Sequence, residues 1–159
     1  LRVKALDRAE RDLGMKEHPK NSNRCPITDR WGVIGPWCAV GVSTWDIDAG
    51  SRAFTLHRDW AYVPFLLAAA APGTNGIALI RSEHALPGDV VAFDWDDDGI
   101  ADHVGLLRSS VRGDGTFDTI EGNTSLSDNS NGGEVMHRQR RVTDVARHAG
   151  VLAFVRVGR

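Results

Sequence analysis

Residues 2 to 13 place Val3, Leu6, Ala9 and Leu13 at intervals of three and four, with charged residues between them. That spacing predicts an amphipathic helix ending near Gly14. The stretch KEHPKNSNRCPITDRWGVIG, residues 16 to 35, is rich in Pro, Asn, Ser and Gly and reads as a long loop. Apolar anchors such as Trp31 argue that it is ordered, and ordered loops of this length usually serve function. A helix is expected from Pro36 or Trp37 to Ala49–Gly50, with proline in its first turn and glycine past its end. Another is expected over Asp59 to Ala71, closed by Pro72–Gly73.

After Pro87–Gly88 the period changes from helical to alternating. The segments DVVAFDW, HVGLLRSS, TFDTIEG, EVMHRQRR and GVLAFVRV are short, rich in β-branched residues and bounded by turn residues. Asn131–Gly132, followed by Gly133, suits a hairpin turn. Helices first and strands second predict an α+β domain, with N-terminal helices packed on a C-terminal antiparallel sheet. Neither an internal repeat nor an internal linker is visible.

The chain has 159 residues, 42% apolar and 25% charged, with a formal net charge of −2 and a pI near 6.3. These values fit one soluble domain and argue against nucleic acid as a partner, which calls for a basic face. The run RQRR, residues 138 to 141, reads as a solvated strand end. The longest apolar run, Val63 to Ala71, falls short of the about 20 residues of a membrane span and reads as a buried helix, so no membrane insertion is expected. No secretory signal opens the chain, and its start at Leu suggests a piece of a longer protein.

Two cysteines do not make a disulfide framework, and a Cys25–Cys38 bridge would silence any thiol chemistry. Cys38, in GPWCAVGVSTW, falls in the first turn of an expected helix. Unpaired N–H groups and the helix dipole there favour a thiolate; the alternative is a small buried hydrophobe. A nucleophilic thiol needs a base, and the base needs an orienting partner. Of six histidines, His103 opens an expected strand directly after an acidic turn, whereas His18, His57, His84, His137 and His148 lie in polar or loop-like surroundings. Glu121 and Asn123 end another strand two residues apart on one side, and either could fix the imidazole tautomer. Cys25 lacks a nearby base and reads as structural.

Taken together, GPWCAVGVSTW, PGDVVAFDWDDDGIADHVGLL and TIEGNTS resemble the CHAP domains (cysteine, histidine-dependent amidohydrolase/peptidase) of phage endolysins and bacterial autolysins. The upstream stretch LGMKEHPKNSN is similar to a loop preceding the Cys block in one phage branch of that family. The resemblance covers nearly the whole chain and implies a papain-like, NlpC-type cysteine hydrolase fold, with residues 1–159 forming one catalytic domain excised from a longer lysin. It implies Cys38 as nucleophile, His103 as general base, Glu121 as the residue orienting the ring, and Asn123 as a further polar group. The implied activity is hydrolysis of an amide bond in bacterial peptidoglycan, in the stem peptide or at muramoyl-L-alanine, through a thioester, with no cofactor required. Such an enzyme would be phage-encoded, monomeric, released at host lysis and active on the cell wall. An NlpC-type amidase or peptidase acting on a soluble substrate, and a non-catalytic wall-binding module, are the alternatives. Where the family often carries an aromatic residue three places after the Cys, this chain has Gly41, which should open space beside the nucleophile. The oxyanion would meet the Cys38 backbone N–H, with a second donor expected from residues 30–35.

In DWDDDGIADH, Asp94, Asp96 and Asp98 alternate before Gly99, like the first half of a calcium loop. Residue 105, the twelfth position, is Gly rather than Glu, which argues against a full EF-hand. A structural calcium would brace the strand carrying His103; the alternative is a solvated turn with Asp-Gly at its corner. Of five tryptophans, most should be core, and Trp37, beside Cys38, is expected to line a substrate groove. Arg24 and Arg30 could meet the carboxylates of a stem peptide, although solvated surface is the simpler reading.

Overall fold

The first helix turns a narrow, small-residue face inward in the computed structural model, which describes residues 1–129 and 131–158. In α1 (Arg2–Arg11), Ala5 and Ala9 are fully buried, whereas Val3 and Leu13, expected on the same face, are exposed. The helix stops at Asp12, whose carboxylate accepts hydrogen bonds from Arg8 Nη1 and Trp45 Nε1, both at 2.9 Å.

The expected loop of residues 16–35 contains a short helix, α2 (Pro26–Trp31). Its signals are legible in hindsight. Cys25 is the N-cap, Pro26 opens the first turn, Thr28 Oγ1 accepts the Cys25 N–H at 2.9 Å, and Gly32 closes the helix with φ 64°. Helix α3 (Cys38–Asp48) follows, and every residue from Cys38 to Asp46 is buried. It packs against α1 on one side and the sheet on the other, which is why its sequence shows no polar face. The helix expected over 59–71 is divided. A 3-10 turn (Arg58–Ala61) precedes α4 (Val63–Ala70), because Pro64 lacks an N–H and is tolerated only in a first turn.

The sheet begins earlier than its alternating segments suggested. Strand β1 (Ile77–Ile80) is followed by β2 (Val90–Phe93), β3 (His103–Leu107), β4 (Thr116–Thr124) and β5 (Glu134–Arg141). The segment expected as one final strand is broken. β6 (Arg147–His148) and β7 (Val151–Leu152) form a small ribbon around Ala149 and Gly150, both at positive φ, and β8 (Phe154–Val157) rejoins the main sheet. The six-stranded sheet has the order β1-β8-β2-β3-β4-β5, antiparallel throughout. The connection from β4 to β5 spans residues 125–133, longer than a tight turn, and Gly132 N–H returns to Asn123 O at 2.9 Å.

Both sheet faces are covered. Val90, Ala92, Val104, Leu106 and Ile120 pack towards the helices with Trp45 and Leu66. On the other face Val91, Phe93, Leu107, Phe117 and Phe154 form a second cluster beneath residues 142–146. Burying a side chain of this size contributes roughly 1.5–3 kcal/mol, so the two layers together fix how α3 lies on the sheet. Among the described residues, no helix is long and apolar enough to cross a membrane.

One buried group works against the fold. Asp46, in α3, has no exposed surface, and neither carboxylate oxygen has a hydrogen-bond partner among the described residues. Burial, helped by the charge of Asp89, pushes its pKa up to about 8. The folded state therefore holds a proton that the unfolded chain releases above about pH 4, and stability falls as pH rises from there to about pH 8. Replacement Asp46→Asn removes that slope. The variant's stability relative to wild type should increase by up to about 4 kcal/mol between pH 5 and pH 8, at about 1.4 kcal/mol per pH unit. Urea unfolding at the two pH values measures it.

Candidate active site

Cys38 is the first residue of α3, and Trp37 is the N-cap. Amide N–H groups in a first turn lack helical partners and favour negative charge, so the sulfur sits at the positive end of the helix. The thiol is free and almost wholly buried, at 4% exposure. Cys25 is also free and serves the N-terminus of α2, so no bridge removes Cys38 from chemistry.

His103 opens β3, directly across from Phe93 of β2. Its Nε2 lies 3.0 Å from Glu121 Oε2, and both side chains are completely buried. An ionised carboxylate only accepts, so Nε2 carries the hydrogen. Nδ1 has no hydrogen-bond partner among the described residues, which leaves it as the ring nitrogen free to exchange a proton with the thiol. Burial pushes the imidazole pKa down, but contact with Cys38 and the hydrogen bond to Glu121 outweigh it and lift the pKa to about 9. Near neutral pH the ring is an imidazolium.

Backbone geometry makes room for this pair. The pairing of Leu106 with Ile120 and Leu107 with Thr119 sets Gly105 beside Glu121. A Cβ on Gly105 would lie 2.6 Å from Glu121 Cγ, so the glycine lets that side chain run along β3 towards the ring. On the opposite face, a Cβ on Gly122 would lie 2.8 Å from Trp37 Cζ3. The strand bearing Glu121 and the residue before Cys38 are thus in direct contact.

Glu121 is surrounded by donors. Thr119 Oγ1 donates to Oε1 at 2.5 Å, while Arg140 Nε and Nη2 donate to Oε1 and Oε2 at 2.8 and 2.5 Å. Burial alone would raise the Glu121 pKa, but Arg140 and His103 together lower it to about 2. Arg140 corrects the reading of RQRR as a solvated end. It is only 6% exposed, and its guanidinium lies over the rings of Trp95 and Phe93 at 4.7 and 5.5 Å from their centroids. The register across the sheet is what reveals its place. In β5, residues 136, 138 and 140 share the sheet face that carries Thr119 and Glu121 on β4.

The other expected site residues fall in different places. Asn123 is buried at φ 58°, within a register shift between Glu121 and Thr124, and its Nδ2 donates to Asn131 Oδ1 at 3.3 Å. Of the two residues that could orient the ring, Glu121 is the one that meets Nε2. Trp37 does not line a groove. It has no exposed surface, and its indole N–H donates to Glu17 Oε1 at 2.9 Å. Nor does Gly41 open space, because the Trp45 indole lies 3.5 Å from where a Cβ would stand. Arg30 pairs with Asp48 at 2.6 Å.

In the acidic turn the structure gathers Asp94, Asp96 and Asp102, with one oxygen of each within 4.8 Å of the others. Asp98 is not among them; its Oδ1 accepts the Ile100 N–H at 2.7 Å. Asp102 Oδ2 accepts the Trp95 N–H at 2.7 Å, and Asp94 Oδ2 accepts the Gly99 N–H at 2.9 Å. Asp94, Asp96 and Asp102 are the residues that could hold a hard cation, while backbone N–H groups already donate to all three carboxylates.

The family model of the CHAP domain matches residues 29–123, more than half of the chain and the span containing Cys38, His103, Glu121 and Asn123. The chain belongs to the CHAP domain family. Among solved structures it is similar to the wild-type endolysin LysIME-EF1, with a TM-score of 0.54 and 16% sequence identity over 99% of this chain. The chain spans 64% of the length of that endolysin. No curated protein matches the sequence.

The glycine beside Glu121 supplies a test of the site's construction. Gly105→Ala should displace the carboxylate from His103 and cost roughly 1–3 kcal/mol of stability through overpacking. The wild type should show a downfield Nε2–H proton resonance for His103, and that resonance should be absent from the folded variant.

Proposed function

We propose that this domain hydrolyses an amide bond of bacterial peptidoglycan, in the stem peptide or at its junction with muramic acid, with Cys38 as nucleophile. The reading rests on one observation. In a CHAP family chain, a free cysteine at a helix N-terminus adjoins an imidazole that Glu121 holds from behind.

The chemistry follows from which nitrogen is free. The Cys38 thiolate attacks the amide carbon, forming a C–S bond while the carbonyl electrons move to oxygen. The Cys38 backbone N–H, at the start of α3, is placed to donate to that oxyanion. As the tetrahedral intermediate collapses, the C–N bond breaks and His103 Nδ1 gives its proton to the leaving amine. Water then attacks the thioester while Nδ1 takes its proton. The C–S bond breaks, the acid product leaves, and thiolate and imidazolium are restored. The Nε2–H remains on Glu121 throughout, so the ring keeps its orientation. Trp37 contributes by position, holding the start of α3 against Gly122.

Two outcomes test the proposal. Wild-type protein should clear suspensions of purified walls and release new amino or carboxyl termini detectable by mass spectrometry, whereas Cys38→Ala should fold and clear at least about a thousandfold more slowly. A Cys38→Ala protein that clears walls at the wild-type rate would exclude the mechanism. The raised pKa of His103 also sets the alkaline limb. Activity needs the imidazolium, so the rate should fall about tenfold per pH unit above about pH 9.

A further inference from the structure

The proposed reaction creates a difficulty that the Cys–His–Glu arrangement alone does not solve. Each time His103 gives up its Nδ1 proton it becomes neutral, and Glu121, with no exposed surface, loses its cationic partner. A buried carboxylate in that position would be stabilised by taking a proton itself, which would cost it the ability to orient the ring. The charge that solves this must not titrate, must be permanent and must reach the carboxylate from the side away from His103.

Arg140 meets all three conditions. Its fork grips both carboxylate oxygens through Nε and Nη2, and a guanidinium stays charged throughout the working pH range. Its guanidinium lies over Trp95 and Phe93, which stack on each other at 4.8 Å, and Asn129 Oδ1 accepts from Nη1 at 2.9 Å. The groups facing Glu121 are His103 on β3, Arg140 and the more distant Arg138 on β5, and the Thr119 hydroxyl on its own strand, with Cys38 of α3 beyond the ring. Among these, Arg140 alone both donates directly to the carboxylate and keeps its charge through the cycle.

We propose that Arg140 is a positioning residue that clamps the Glu121 carboxylate and keeps it charged, so that His103 alone carries the mobile proton. The assignment of a catalytic cycle rests on the hydrolase reading above, but the clamp can be tested without substrate. The experiment compares wild type, Arg140→Gln and Arg140→Lys by two readouts: the pH titration of the Glu121 side-chain carboxyl, followed by carbon-13 NMR, and the pH dependence of wall clearing. In folded Arg140→Gln the carboxyl midpoint should rise by more than one pH unit. The acid limb of clearing should move with it, and the rate at pH 7 should fall at least tenfold with the half-saturating wall concentration unchanged. Arg140→Lys, which keeps the charge but not the fork, should retain the low midpoint and clear walls at an intermediate rate.

A folded Arg140→Gln whose carboxyl midpoint and acid limb match wild type, whatever its thermal stability, would overturn the proposal. Should Arg140→Gln fail to fold, Arg140→Lys decides, because clearing at the full wild-type rate would show that the fork is not required. If the wild type clears no walls while the carboxyl midpoint still moves in Arg140→Gln, the hydrolase reading fails and the clamp stands.

Discussion

A carboxylate sealed from water has to be satisfied by the protein at every lone pair, and Glu121 imposes that demand on the working end of this domain. Its two oxygens accept from an imidazole, a guanidinium fork and a hydroxyl contributed by three adjacent strands. None of those donors could be removed without leaving a charge in a medium that solvates it poorly. The pairing of β3, β4 and β5 is therefore coupled to the protonation of the ring. Register along the sheet and charge at the site are two descriptions of one arrangement.

The helix side completes it. Helix α3 is buried along nearly its whole length, so its start cannot drift relative to the sheet, and contact between Trp37 and Gly122 fixes the approach where it matters. His103 and Glu121 lie on the sheet face shared with Phe93 and Phe117, whereas Gly122 turns to the helix face. The first residue of α3 and the first residue of β3 are near enough for Cys38 to raise the pKa of the ring. Glycines at 105 and 122 make this possible because each stands where a side chain would collide with a site residue or its neighbour.

Much of this was legible in the residues, and the misses have physical causes. The change from helical to alternating period placed the sheet, and Cys38 and His103 stood out because each opens an element, whereas Glu121, expected at a strand end, lies inside β4. Strand β1 escaped notice because IALI is a short apolar run without alternation, and α2 because its proline and glycine were read as loop composition rather than as a helix start and stop. Arg140 was missed because a run of cations reads as surface, and only the register across three strands reveals that one of them faces inward. Trp37 was misplaced because proximity in sequence to a nucleophile says nothing about which way an indole points. In the acidic turn, alternation of aspartates suggested Asp98, but the chain folds back to bring Asp102 to Asp94 and Asp96.

On the proposed mechanism, the start of α3 and the imidazolium of His103 together activate the sulfur of Cys38. The most direct measurement is the rate of iodoacetamide labelling at pH 6, with Cys38 and Cys25 distinguished by peptide mapping. The account predicts that Cys38 reacts many times faster than Cys25 and that a His103→Ala substitution abolishes the difference. Equal rates at the two cysteines, or a fast Cys38 indifferent to the loss of His103, would contradict it.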